Sequence, residues 1–180
     1  MDTLLPGDVI VVRTPDGNWL DRLTSRLIRF GAALRDESNL DNHVAVVHHT
    51  DAAGTTWAIE GRPGGVGWVD VAEYDNGYFL SNAAQPKTDQ QRAKVCTAAE
   101  GMLGVAYDWA AIGMDAAEAL GLNGLWKSNV WGEKPPAHVV CSALAAWVYG
   151  DVGLAEPRKP WRTCTPADWA EFVMARGWGG

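Results

Sequence analysis

The spacing of apolar residues changes character several times along the chain. Val9-Ile10-Val11-Val12 is a β-branched run set between the turn sequences Pro6-Gly7 and Thr14-Pro15-Asp16-Gly17, and the segment from Asp8 to Arg13 predicts a first strand. From Trp19 to Leu34 the period lengthens: Leu20, Leu23, Leu27, Phe30 and Leu34 recur at steps of three and four, with Asp21, Arg22, Arg26 and Arg29 on the other faces. That pattern predicts an amphipathic helix. Between His43 and about Ala83 the period shortens again. The runs His43 to His48, Thr56 to Glu60, Val66 to Val71 and Tyr78 to Asn82 are separated by Asp-Ala-Ala-Gly, Arg-Pro-Gly-Gly and Asp-Asn-Gly turns, which predicts a small antiparallel meander.

Helical signals return after Pro86. Thr88 as N-cap with Gln91 three residues on forms a capping box for a helix running to about Gly104, and a second helix is expected from about Asp108 to Leu120, closed by Gly121. Residues 121 to 137 carry three glycines and two prolines without a usable period, so they read as a long irregular loop with Trp126 and Trp131 as its contact residues. Val139-Val140 then leads into a small-residue helix from Cys141 to Tyr149, ended by Gly150. The last helix, about 165 to 177, has Thr165 as N-cap, Pro166 in the first turn, Asp168 near its positive end and Gly177 beyond it. Repeats and linkers are absent, and the whole of residues 1 to 180 reads as one α+β domain, a small antiparallel sheet packed against helices.

Composition narrows the function. With 180 residues, 47% hydrophobic and 21% charged, the chain suits a compact soluble domain. No run of about 18 apolar residues occurs, so no stable membrane insertion is expected. The start MDTLLPGD lacks the regions of a secretory signal, and the expected location is the cytoplasm as synthesised, unless the protein is delivered otherwise, as a phage-encoded one would be. A net charge of −7 disfavours nucleic acid as a partner. Cys96, Cys141 and Cys164 lack CxxC spacing, so at least one thiol is free and a reducing compartment is expected.

Cys141 is the leading candidate nucleophile, because a cysteine in the first turn of a helix has the macrodipole and unpaired amides favouring thiolate. The alternative is a small core hydrophobe beside Val139, Val140 and Ala143. A thiolate nucleophile needs a base and a group to orient that base. His43 opens an apolar strand whose alternation places it on one face with Ala45 and Val47, while His49 and His138 read as solvated surface groups. If the hairpin turns at Asp51 to Gly54 with Thr50 opposite Thr55, Ala45 faces Glu60. Glu60 then lies diagonally from His43 on the same face. As a metal set, His43, His48 and His49 fare poorly: adjacent strand residues point apart, and a shared site would require distorted backbone. No metal and no cofactor are expected. No GxSxG elbow, HExxH or Walker loop is present.

The order PGDVIVV, NHVAVV, WAIEG, GVAYDW and VVCSALAAWVY resembles the papain-like NlpC superfamily of cysteine hydrolases in its circularly permuted branch, which includes YiiX-like amidases and peptidases and the lecithin:retinol acyltransferase-like proteins. The likeness covers most of residues 5 to 150, and in that branch histidine precedes cysteine, as it does here. It implies a permuted papain-like fold with Cys141 as nucleophile, His43 as general base and Glu60 orienting His43. It also implies Tyr107 as an oxyanion or substrate contact and Asp8 as a structural residue; Ser142, and Trp126 and Trp131 from the loop where the chain departs from the family pattern, are the further candidate substrate or oxyanion contacts. The implied substrate is peptide-like, with cell-wall peptide favoured. The other readings are thioester or lipid acyl chemistry and a non-catalytic binding module on the same fold.

Overall fold

A computed structural model of the protein describes residues 3–12, 43–74, 79–108, 136–157 and 160–179. The helices expected over 19–34 and 108–120, and the loop with Trp126 and Trp131, lie outside the described residues, save that Asp108 is described and is not helical and residues 136 and 137 are described. The described elements are β1 (Val9–Val12), β2 (His43–Thr50), β3 (Thr56–Arg62), β4 (Gly65–Asp70), a 3-10 turn (Val71–Tyr74) and β5 (Phe79–Ser81). They continue with α1 (Asp89–Glu100), β6 (Ala106–Tyr107), β7 (His138–Val139), α2 (Cys141–Asp151), a 3-10 turn (Trp161–Thr163) and α3 (Pro166–Ala175). The architecture is α+β. Among the described residues no helix is long and apolar enough to cross a membrane.

The main sheet is antiparallel with strand order β4-β3-β2-β1-β5. The meander expectation holds for β2, β3 and β4. It fails for β5, which pairs with β1 at the far edge instead of continuing from β4. Periodicity identifies strands but not their partners; here the buried strand β1 has a backbone that must be hydrogen-bonded on both sides, and β5 supplies the second side. The register also carries a correction. Ala45 does pair with Glu60, but Thr50 pairs with Thr56, not Thr55, and the register shifts between Val47 and His49. The connection is one residue longer than expected, and the bulge at His48 absorbs one residue of β2, so the two offsets cancel before Glu60 is reached.

Alternation divides the sheet's side chains between two cores. Val9, Val11, Val44, Val46 and Ile59 pack with the helices, whereas Ile10, Val12, Ala45, Val47, Ala58, Val69 and Tyr74 form the core on the opposite face. Helix α2 is apolar nearly all round, and Cys141 to Ala146, Val148 and Tyr149 are all buried, as expected of a helix enclosed by its neighbours. Gly150 does not end it. The helix continues to Asp151, and the left-handed residue is Gly153, at φ 72°. The expected Thr88–Gln91 capping box forms on α1, and the expected N-cap Thr165 on α3 is part of a second one, with Asp168 as its reciprocal partner. Helix α1 stops at Glu100, short of Gly104, whose φ of 80° turns the chain.

A buried polar network ties these layers together. Asn82 Oδ1 accepts from the Val9 amide at 2.7 Å, and Asn82 Nδ2 donates to Gln85 Oε1 at 2.7 Å and to the Tyr149 hydroxyl at 2.9 Å. That hydroxyl donates in turn to the Gly7 carbonyl at 2.6 Å. Asp8, fully buried, meets Lys87 Nζ at 2.9 Å and Arg92 Nη1 at 2.8 Å. Asp8 therefore serves structure, as the sequence suggests. Replacing Asn82 with Ala leaves several of these groups without partners and is expected to cost roughly 3 kcal/mol. Urea denaturation of the variant against the parent measures that loss.

Candidate active site

Cys141 opens α2 where the helix meets the sheet. Its N-cap, Val140, is extended and contributes no side-chain cap, and the first helical bond is Leu144 N–H to the Val140 carbonyl at 2.9 Å. The amides of Cys141, Ser142 and Ala143 therefore lack intrahelical acceptors, and the positive end of the helix lies at the thiol. Strand β3 lies against this point because residue 61 is glycine. A Cβ there would come 3.4 Å from the Val140 carbonyl carbon, 3.3 Å from the Cys141 nitrogen and 3.5 Å from its Cα. Three nearly equal distances mean that Gly61 stacks on the flat of the Val140–Cys141 peptide rather than along its N–H direction.

Burial would favour the neutral Cys141 thiol, but the charge and hydrogen bond of His43 and the Val44 amide outweigh it and hold the pKa below the ordinary thiol range. For His43 burial likewise opposes ionisation, and Glu60 and Cys141 overcome it, leaving the imidazole well above its usual range. Both shifts move the pair toward thiolate and imidazolium. His43 Nε2 pairs with Glu60 Oε2, which leaves Nδ1 for the thiol. Glu60 is 3% exposed. Its carboxyl is kept ionised against burial by the His43 charge, by hydrogen bonds from His43 and Tyr74, and by Arg62. The Tyr74 hydroxyl donates to Oε2, and Arg62 Nε lies 3.1 Å from Oε1 while Nη2 donates to the Trp68 carbonyl at 2.8 Å.

Tyr107 arrives by a separate route. Parallel pairing of β6 with β7 sets Tyr107 beside Val139, two residues before Cys141, and Val66 N–H to the Val105 carbonyl at 2.8 Å fastens that segment to β4. Tyr107 is buried, and burial followed by the negative charge on Cys141 pushes its hydroxyl well above the ordinary tyrosine range. It stays protonated, able to donate. The Ser142 hydroxyl donates to the Cys164 carbonyl at 2.7 Å, so the group it offers at the helix start is its amide.

Cys141, His43, Glu60 and Tyr107 thus belong to one site, while Trp126 and Trp131 lie outside the described residues. Sequence reasoning missed Tyr74, Arg62 and Gly61. Gly61 and Arg62 directly follow Glu60, and alternation puts Arg62 on the Glu60 face, a signal that was available. Tyr74 comes from the turn after β4 and had none. His49 and His138 are exposed, as expected. Among the described residues no group of three or more His, Cys, Asp or Glu side chains is placed to hold a metal ion. No protein-family model matches the chain, and a search of curated proteins finds no match.

Cys96 and Cys164 are also buried and form no disulfide, and burial pushes the Cys96 thiol up to about 11. Iodoacetamide is therefore expected to alkylate Cys141 fastest, at pH values well below the ordinary thiol range of about 8.5, and to slow in His43→Ala. Peptide mass spectrometry across pH reads the three rates separately.

Proposed function

We propose that this protein is a cysteine hydrolase of the circularly permuted papain-like NlpC type that cleaves an amide bond in a peptide-like substrate. The observation that carries this reading is the buried chain Cys141, His43, Glu60, in which each member's charge state supports the next. The order of elements agrees with it, since the strand bearing His43 precedes the helix bearing Cys141. In the proposed reaction the Cys141 thiolate attacks the carbonyl carbon, and the developing oxyanion is met by the helix-start amides and the Tyr107 hydroxyl. His43 gives its proton to the leaving amine, forming a thioester. It then takes a proton from the water that hydrolyses this intermediate and returns the thiol site to its starting state. Cell-wall peptide is the favoured substrate because of the motif resemblance; a lipid or thioester acyl group is the alternative on the same chemistry.

Purified bacterial cell-wall peptide, assayed for newly released amine, tests the reading alongside a long-chain acyl thioester. Cys141→Ala is expected to abolish turnover with the fold retained. Unchanged turnover in that variant overturns the mechanism. The pH profile should be bell-shaped, with the acid limb set by the thiolate–imidazolium pair forming and the alkaline limb by its loss of the His43 proton. Because the Glu60 carboxylate raises the His43 pKa, Glu60→Gln should move the alkaline limb to lower pH.

Gly61→Ala separates attack from oxyanion stabilisation. A methyl group on the Val140–Cys141 peptide tilts the donating amide, so turnover should fall about ten- to a hundredfold. Alkylation of Cys141, which forms no oxyanion, should change far less.

A further inference from the structure

The bulge in β2 does what a regular strand forbids. Successive residues of a strand point to opposite faces. At the register shift between Val47 and His49, the side chains of His48 and His49 instead converge, with their Nδ1 atoms 3.0 Å apart and their rings nearly perpendicular, at 87°. His48 Nε2 meets Glu100 Oε1 of α1 at 3.0 Å. That contact is between charges and lacks hydrogen-bond alignment, so either imidazole can supply the proton shared between the two Nδ1 atoms.

We propose that His48 and His49 form a two-imidazole chelate for a borderline divalent cation such as Zn²⁺ or Cu²⁺, with Glu100 orienting His48 from behind. At metal–nitrogen distances of about 2.0 to 2.1 Å, tetrahedral ligands lie ~3.3 Å apart and right-angled ligands ~2.9 Å apart. The observed 3.0 Å separation falls between these, so little movement is needed. An imidazole that ligates through one nitrogen and donates from the other to a carboxylate is the arrangement that fixes tautomer and ring direction at metal sites. Without metal, one Nδ1–H donates to the other Nδ1. On binding, that proton moves to Nε2 of the same ring and both δ lone pairs face the ion, so the charge of the pair is unchanged.

The surroundings agree with an ion that exchanges with solvent. His49 is exposed, Trp68 sets its ring edge-on to both imidazoles, with centroids 4.9 and 5.7 Å away, and the remaining coordination positions fall to water. Two nitrogen ligands without a carboxylate on the ion select against Mg²⁺ and Ca²⁺.

The cleanest test is calorimetric titration of Zn²⁺ and Cu²⁺ into the full chain carrying Cys141→Ala, which removes the thiolate as a competing ligand. One equivalent should bind, and Mg²⁺ should give no signal. Adding His49→Ala, a change at an exposed side chain, should abolish binding, and Glu100→Gln should weaken it about 10- to 100-fold. Absence of binding by either ion, or binding that His49→Ala leaves intact, overturns the proposal. Neither result bears on the hydrolase reading, whose residues lie at the other end of the strand.

Discussion

The close seat of α2 against β2 and β3 is the constraint on which the site depends. A helix lined with Ala143, Ala145 and Ala146 can approach the Val44, Val46 and Ile59 ridge, and its first peptide then rests on Gly61. That contact puts the positive end of the helix beside the Val44 amide and the His43 ring. Core packing and the ionisation of the thiol are therefore one feature: a shift of the whole helix off the sheet, unlike a tilt of its first peptide, separates the thiol from the groups that ionise it.

Electrostatics at the site run inward from a buried carboxylate. An ionised Glu60 at 3% exposure would be costly alone, and it persists because Tyr74, Arg62 and His43 all engage it. Tyr74 belongs to the core on the face away from the helices, so that second core is coupled to the imidazole through a single oxygen. Arg62 has the other oxygen and also occupies the Trp68 carbonyl, holding β4 and the carboxylate together. The orienting residue is thus itself oriented, from two directions.

Features written in local sequence were legible, and features made by distant contacts were not. The β-branched run of β1, the Thr88–Gln91 capping box, the Thr165 N-cap and the cysteine at a helix start could all be read within a few residues. Glu60 could be placed opposite Ala45 from a turn and a two-residue period, although the connection and the bulge at His48 both departed from the simple hairpin. The place of β5 was not legible, because nothing in Phe79–Ser81 names β1 as its partner. Gly150 looked like a helix stop, yet helix geometry suits it, and the left-handed turn falls at Gly153. Tyr74 had no local mark at all, since its role is defined only by the side chain it meets.

The hydrogen bond from Tyr149 to the Gly7 carbonyl joins residues 142 positions apart in the chain, and the Asn82 amide bonds to the same hydroxyl. During synthesis, β1 and β2 leave the ribosome long before the helix that covers them. The core over Val44 and Val46 cannot close until the helix bearing Tyr149 has emerged, which makes late folding a consequence of the topology. Cys141 arrives with that same helix, so a nascent chain holds His43 and Glu60 for most of translation without the thiol they meet in the folded protein.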